Sequence, residues 1–274
     1  MIIWLASYPK SGNTWVRIFI NYLLFFKEKE NNINNIKIGQ FPNKKHFTNI
    51  IDDFSDIKKI LENSIHAQDL LNLDGNLKFF KTHSAYWKSN KSSFTNESNT
   101  LGVIHIVRDP RNIITSLKNH FSKDEYDELF NFMVNEKKFI GSREADKEFE
   151  IATLISSWSN HYKSWKKIKK NYLLIKYENL LNNNNEFNKI VRFLEVNMKK
   201  KFSEEQVKKA IDYCKFENLK KQEDDFGFRE APNVNNKKFF FLGPKNNWEN
   251  IISKEIQKKI EDIFEKEMKE LNYL

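Results

Sequence analysis

An α/β fold, with a central parallel sheet flanked by helices, is what this 274-residue sequence predicts. Short apolar runs at 2–6, 77–81, 103–107 and 172–176, each bounded by polar residues, have the length and composition of buried strands. Between them lie segments with helical spacing, and strands alternating with helices argue for a parallel sheet covered on both faces. Gly and Pro are scarce, at 7 and 5 residues, so each position is informative.

The first strand starts almost at Met1 and leads through a tight turn into a helix over about 14–26. After the run at 103–107, Asp109 and Pro110 supply an N-cap and a first-turn proline, which predicts a helix over 110–121. Helical spacing dominates 147–170, where Ile151, Leu154, Ile155, Trp158, Tyr162 and Trp165 fall on one stripe. The strand at 172–176 precedes helices at about 185–195, 203–214 and 253–271. Residues 222–247 show no clear period and read as a long loop, a kind of segment that usually carries function or mobility. Asparagine clusters at 31–32, 34–35 and 182–185 read as turns. There is no internal repeat and no Pro- or Ser-rich linker, so residues 1–274 are expected to form a single domain.

Composition excludes several classes. The one cysteine, Cys214, rules out a disulfide framework and a multi-cysteine metal site. No stretch approaches the ~18 apolar residues of a membrane span, and no export signal is visible, which predicts a cytoplasmic protein. Lys+Arg 46 against Asp+Glu 37 gives +9, a balance compatible with nucleic acid, an anionic membrane, a small anionic ligand or a solvated surface. The longest basic run is only Lys199–Lys201, and the remaining charge is dispersed. A basic nucleic-acid-binding module therefore stays as an alternative without a reader motif, and no nucleic-acid partner is expected.

Three segments carry chemistry. Tyr8-Pro9-Lys10-Ser11-Gly12-Asn13-Thr14-Trp15 joins the first strand to its helix. A strand, a glycine turn and a helix N-terminus present backbone N–H groups and a positive dipole end to an anion. Lys10 adds a point charge, and Ser11, Asn13 and Thr14 add short polar side chains. The spacing is not GxxxxGK[ST], because the lysine precedes the glycine, and an ordinary strand-to-helix turn also fits these residues. In Val107–Ser116, Arg108 ends a strand and Ser116 lies two helical turns later, so a phosphate could sit between guanidinium and hydroxyl. An Arg paired with a neighbouring carboxylate fits equally. Lys81-Thr82-His83 ends the strand at 77–81, where an imidazole can accept a proton near neutral pH. His105, inside an apolar run, is expected to face the core, and His46, His66 and His120 are expected to be structural or surface residues.

Together these segments resemble the sulfotransferases that use 3′-phosphoadenosine 5′-phosphosulfate (PAPS) and release PAP. The octapeptide 8–15 resembles their 5′-phosphosulfate loop, with Asn13 where cytosolic members typically carry Thr. The resemblance implies a P-loop-type three-layer fold and a sulfuryl transfer without a metal. It implies His83 as general base, Lys10 on the leaving phosphate and Lys81 on the transferring group. For the donor it implies Ser11, Gly12, Asn13 and Thr14 at the 5′-phosphate, and Arg108 and Ser116 at the 3′-phosphate. Trp15 and Tyr177 are implied at the adenine. The family's C-terminal Arg-Lys-Gly is Phe241-Leu242-Gly243 here, followed by Trp248. Gly243 is kept, and Lys245 is the candidate to replace the missing cation. The short dimer motif of cytosolic members is also absent, so no oligomeric state follows. A P-loop-type kinase is the alternative enzyme, and it lacks both Walker A and a Mg²⁺-binding Asp. The acceptor is expected to be a small molecule, with Tyr86, Trp87, Phe121, Phe226 and Phe228 able either to line its pocket or to serve as core.

Overall fold

The computed structural model describes residues 1–27, 32–121, 125–141, 151–182, 185–231 and 238–274. Strand β1 (Ile2–Ser7) is buried along its whole length, as its unbroken apolar run requires, and Gly12 then turns the chain into helix α1 (Asn13–Phe25). The short strand β2 (Gly39–Gln40) is followed by α2 (Ile57–Glu62), capped by the Asp56 carboxylate, and by α3 (Ser64–Asn72). Strand β3 (Lys78–Thr82) precedes β4 (Thr100–Val107), after which Pro110 opens α4 (Pro110–Phe121) as its first-turn proline. Helix α5 (Tyr126–Val134) leads to an antiparallel pair, β5 (Phe139–Ile140) and β6 (Thr153–Leu154), and then to α6 (Trp158–Trp165). Strand β7 (Tyr172–Lys176) runs directly into α7 (Tyr177–Asn182). Four further helices follow: α8 (Asn185–Met198), α9 (Glu204–Tyr213), α10 (Phe216–Phe226) and α11 (Lys254–Glu270).

The predicted class is the observed one, a central parallel five-strand sheet flanked by helices, ordered β2-β3-β1-β4-β7. The register sets Leu5 beside Lys81 and Ala6 beside both Thr82 and His105. No helix among the described residues is long and apolar enough to cross a membrane.

The chain divides into two compact units. The first comprises Met1–Pro9, Gly39–Ile106 and Val134–Leu174. Its core centres on the fully buried Trp4, whose ring centroid lies 5.0 Å from Phe94 and 5.5 Å from Phe41. The indole N–H donates to Thr100 Oγ1 at 3.0 Å, which satisfies the one polar group that such a buried ring carries. The second unit comprises Lys10–Ile38, Val107–Met133 and Ile175–Leu274. One of its buried guanidinium groups, Arg111, binds Asp109 at 2.7 Å, Glu261 of α11 at 2.6 Å and the Tyr273 carbonyl at 2.7 Å. The Trp248 ring covers the same guanidinium at 4.0 Å. Two carboxylates and a carbonyl thus replace the water that a buried cation loses.

Two expectations are corrected. The stripe over 147–170 is not one helix: residues 147–150 lie outside the described residues, and Thr153–Leu154 pairs with Phe139–Ile140 instead. Ser156 adopts φ of +61°, and extended Ser157 then caps α6 by accepting from the Asn160 N–H at 3.2 Å. Ile151 and Ile155 are buried, but from extended chain, because a short apolar run suits strand and helix alike. The loop expected over 222–247 begins inside α10, which runs to Phe226 and ends at Gly227 with φ of +67°. Beyond residues 232–237, which lie outside the described residues, short 3₁₀ turns form at Gly243–Lys245 and Trp248–Asn250. Among the asparagine turns, Asn31, Asn183 and Asn184 also lie outside the described residues.

Candidate active site

The anion cradle belongs to the second unit. Lys10 (φ +67°) and Gly12 (φ +95°) both take left-handed backbone, which bends the chain sharply before α1 begins at Asn13. The start of a helix is its positive end, where the first N–H groups can face an anion. Arg108, directly after β4, donates from Nη1 to the Lys10 carbonyl at 2.9 Å and reaches Ser116 Oγ at 3.5 Å, the long limit of a hydrogen bond. Its guanidinium lies 4.2 Å from the centroid of the Tyr177 ring. Lys10, Gly12, Arg108, Ser116 and Tyr177, separated by up to 167 residues of sequence, therefore form one cluster.

Arg108 Nε, and Ser11 Oγ between Lys10 and Gly12, are buried polar atoms with no hydrogen-bond partner among the described residues. Burial without a partner costs about 1–3 kcal/mol for a neutral group and more for a charged one. The half-buried Trp15 meets the Tyr177 ring edge-on at 5.7 Å and the Phe187 ring at 5.6 Å. Its indole N–H donates to the Cys214 carbonyl at 2.8 Å. Asn13 and Thr14 are buried at the helix start. Lys10 Nζ lies 4.7 Å from the Phe239 ring centroid, a cation–π contact of about 0.5–1 kcal/mol.

Sequence reasoning passed over an acidic partner of this cradle. Glu230 accepts from Thr14 Oγ1 at 3.4 Å and forms an ion pair with the buried Arg17 of α1. Glu230 lies in a segment without periodicity, more than 200 residues from α1, and local pattern carries no signal for such a pair. Phe216 was likewise missed: a Cβ on Gly243, whose φ is +50°, would meet its ring at 2.3 Å.

Lys245 is exposed. Its segment docks on α4 through its neighbours: Thr115 Oγ1 donates to Asn246 Oδ1 at 2.8 Å, and the Trp248 N–H donates to Asn112 Oδ1 at 3.0 Å. The structure thus holds Asn246 on the residue preceding Ser116, with Lys245 next to it in the chain. Phe241, where the resemblance expects arginine, is also exposed.

His83 and Lys81 belong to the first unit. His83 Nδ1 lies 2.8 Å from the Ser7 carbonyl oxygen and 3.3 Å from Ser7 Oγ. A ring nitrogen facing a carbonyl must carry the proton, so Nδ1 donates and Nε2 is the basic nitrogen. The buried Thr82 hydroxyl accepts from the Ser84 N–H at 3.0 Å and bends the chain at the strand end. Lys81 is half-buried within β3. His105 is buried as expected, 2.7 Å from the Tyr172 hydroxyl, and burial holds it well below the usual histidine range. His46 is lowered to about 4, first by burial and then by Lys45.

The fold is that of an α/β protein whose first strand turns through Lys10 and Gly12 into the start of α1. A family model described as "Sulfotransferase domain" matches residues 2–272, so the chain belongs to the sulfotransferase domain family and is a sulfotransferase enzyme. An amine sulfotransferase of Oryctolagus cuniculus is 25% identical over 288 residues, covering 98% of this chain and 81% of that protein. Sulfotransferase 1B1 of Canis lupus familiaris is 26% identical over 279 residues, covering 96% and 82%. Among solved structures, retinol dehydratase in complex with androsterone and the inactive cofactor PAP aligns with a TM-score of 0.62 at 17% identity, covering 98% of this chain and 80% of that one. Mouse sulfotransferase SULT7A1 complexed with PAP aligns with a TM-score of 0.61 at 19% identity, covering 97% and 84%. Both share this fold.

Proposed function

We propose that this sulfotransferase moves a sulfuryl group from PAPS to a hydroxyl or amine of a small-molecule acceptor. One observation carries the donor assignment: Arg108, bound to the Lys10 carbonyl and reaching Ser116, keeps a buried Nε without a partner among the described residues, as does the hydroxyl of Ser11, the residue after Lys10. Buried donors of that kind suit a polyanionic ligand.

PAPS, when bound, supplies a sulfuryl group on a good leaving phosphate. Ser11, Gly12, Asn13 and Thr14 hold the 5′-phosphate with hydroxyls and helix N-terminal amides. Arg108 and Ser116 hold the 3′-phosphate, with Gly243 and Lys245 completing the clamp. Trp15 and Tyr177 offer ring surface to the base, where stacking is worth ~1–3 kcal/mol. Lys10 neutralises charge developing on the leaving phosphate oxygen, and Lys81 steadies the group in transfer. His83, with Nδ1 committed to the Ser7 carbonyl, uses Nε2 to take the acceptor's proton. Residues 1–274 act as one domain in the cytoplasm, a compartment in keeping with a single cysteine.

The test is His83→Ala assayed with PAPS across phenols, alcohols, amines and sugars. Loss of turnover with PAP affinity retained supports the reading; unchanged turnover removes His83 as the base. If ATP with Mg²⁺ raises the melting temperature while PAP does not, the donor assignment falls to the kinase alternative.

A further inference from the structure

The chain leaves the sheet ladder at Thr82, whose pairing with Ala6 is the last of the β1–β3 register. The next four residues, which include His83, are held from another direction. Trp165 Nε1 donates to the Ser84 carbonyl at 2.8 Å, the Ala85 N–H donates to the Leu154 carbonyl at 2.9 Å, and the Tyr86 N–H donates to Ser164 Oγ at 2.9 Å. One member of this grip is titratable. His161, one turn before Trp165 on α6, is 1% exposed, and the backbone groups of both His83 and Ser84 hydrogen-bond its imidazole. The Tyr8 ring lies 5.7 Å from it in a T-shaped arrangement.

We propose that His161 is a positioning residue for His83: its imidazole N–H holds the backbone at His83 and Ser84, and so aims the catalytic imidazole. The inference rests on the reading of His83 as the base.

Four details support it. Nε2 of His161 has no hydrogen-bond partner among the described residues, so Nδ1 makes the backbone contacts and carries the single proton of the neutral ring. Burial, the dominant influence, lowers its pKa to about 3, so the ring stays a neutral donor across the working range of an enzyme. The segment it grips has left the ladder, so groups outside the ladder, the Leu154 carbonyl and side chains of α6, must satisfy the backbone that a strand would otherwise pair. Ser7, on β1, fixes the His83 ring, so backbone and side chain are set by separate elements. The Trp158–Trp165 helix, which reads in sequence as plain core packing, thereby becomes part of the active-site scaffold.

The test compares His161→Phe, which keeps a ring but has no donor, with His161→Asn, whose amide N–H can replace Nδ1–H. The primary readout is the His83 ring resonance in the full-length, ¹³C-histidine-labelled protein, assigned by loss in His83→Gln, with and without PAP. The proposal expects the resonance to move or broaden in His161→Phe and to return towards the wild-type position in His161→Asn. With an acceptor found by the screen above, His161→Phe should lower kcat by up to about 100-fold, the scale of a 1 Å misplacement, while PAP affinity stays within about twofold. His161→Asn should recover most of kcat. A His83 resonance unchanged in folded His161→Phe overturns the proposal, as does a full kcat. If His161→Phe does not fold, a displaced His83 resonance in folded His161→Asn together with wild-type kcat also overturns it. His83→Ala separates the two readings: unchanged turnover there ends the base assignment, while the resonance comparison still decides the positioning.

Discussion

A Cβ built on Gly12 would stand 2.4 Å from Cδ2 of Tyr177, so the glycine turn of the cradle and the first residue of α7 occupy one steric envelope. Gly12 also needs its φ of +95°, which a side chain strains. Gly12→Ala should therefore cost about 1–3 kcal/mol in chemical denaturation and abolish measurable PAP binding. Adding Tyr177→Ala should relieve the clash but not the backbone strain, so recovery should be partial. Wild-type stability in Gly12→Ala would show that the turn does not hold this conformation in solution.

Arg108 uses directed N–H groups toward the Lys10 carbonyl and Ser116, so its charge alone should not suffice. Arg108→Lys should weaken PAP by about 10–100-fold, equivalent to roughly 1.5–3 kcal/mol for a hydrogen bond to a charged group. Calorimetry with adenosine 5′-phosphate, which lacks the 3′-phosphate, should show a much smaller change. Ser116→Ala should follow the same pattern with a smaller loss, since its contact is 3.5 Å. Equal losses for both nucleotides would place Arg108 elsewhere on the donor.

Lys245 is the chain's candidate for the cation that Phe241 does not supply. Lys245→Ala should weaken PAP about threefold to fivefold, as suits an exposed charge worth up to ~1 kcal/mol, and the loss should shrink in high salt. Unchanged PAP affinity at low salt would remove Lys245 from the site.

Three imidazoles, buried at His105 and His161 and half-buried at His46, set an acid limit to stability. Burial is the leading cause for each: His161 is lowered to about 3, His46 to about 4, and His105 lies well below its ordinary value of 6.5. Below pH 6.5 the unfolded chain binds protons that the folded chain refuses. Their contribution is thus fully present above about pH 6.5 and lost as the pH falls towards the folded values, by up to about 1.4 kcal/mol per pH unit for each imidazole. Denaturation curves between pH 7 and 4.5 should show this slope. His46→Phe should make it shallower, because that ring packs among Phe41 and Phe80 without a partner for its Nδ1 among the described residues. An identical slope in the variant would mean that His46 charges freely in the folded protein.

Legibility followed the range of the forces involved. The cradle was readable because strand, turn and helix start occupy fourteen consecutive residues, and each local preference agrees with the others. Asp109-Pro110 announced α4 for the same reason. The stripe through Ile151 and Ile155 misled because the partner strand at Phe139–Ile140 lies beyond any helical window. Helix α10 was lost because its amphipathic period begins at Phe216, ahead of the segment judged irregular. Lys245, read as a direct replacement cation, turns out to be tethered through Asn246 and Trp248, a contact set that no motif encodes.

By itself the sequence determined the α/β class and the strand, turn and helix start that lead into α1. These depend on backbone preference and apolar patterning, and both are local. Only the tertiary structure decided which chemical groups are left without partners and which are held. It laid the Arg108 guanidinium over Tyr177, gave Thr14 and Arg17 to Glu230, and tied the tryptophan helix to the backbone of Ser84 and Tyr86. Hydrogen bonds and ion pairs act over about 3 Å whatever the sequence separation, so their partners are chosen by the fold.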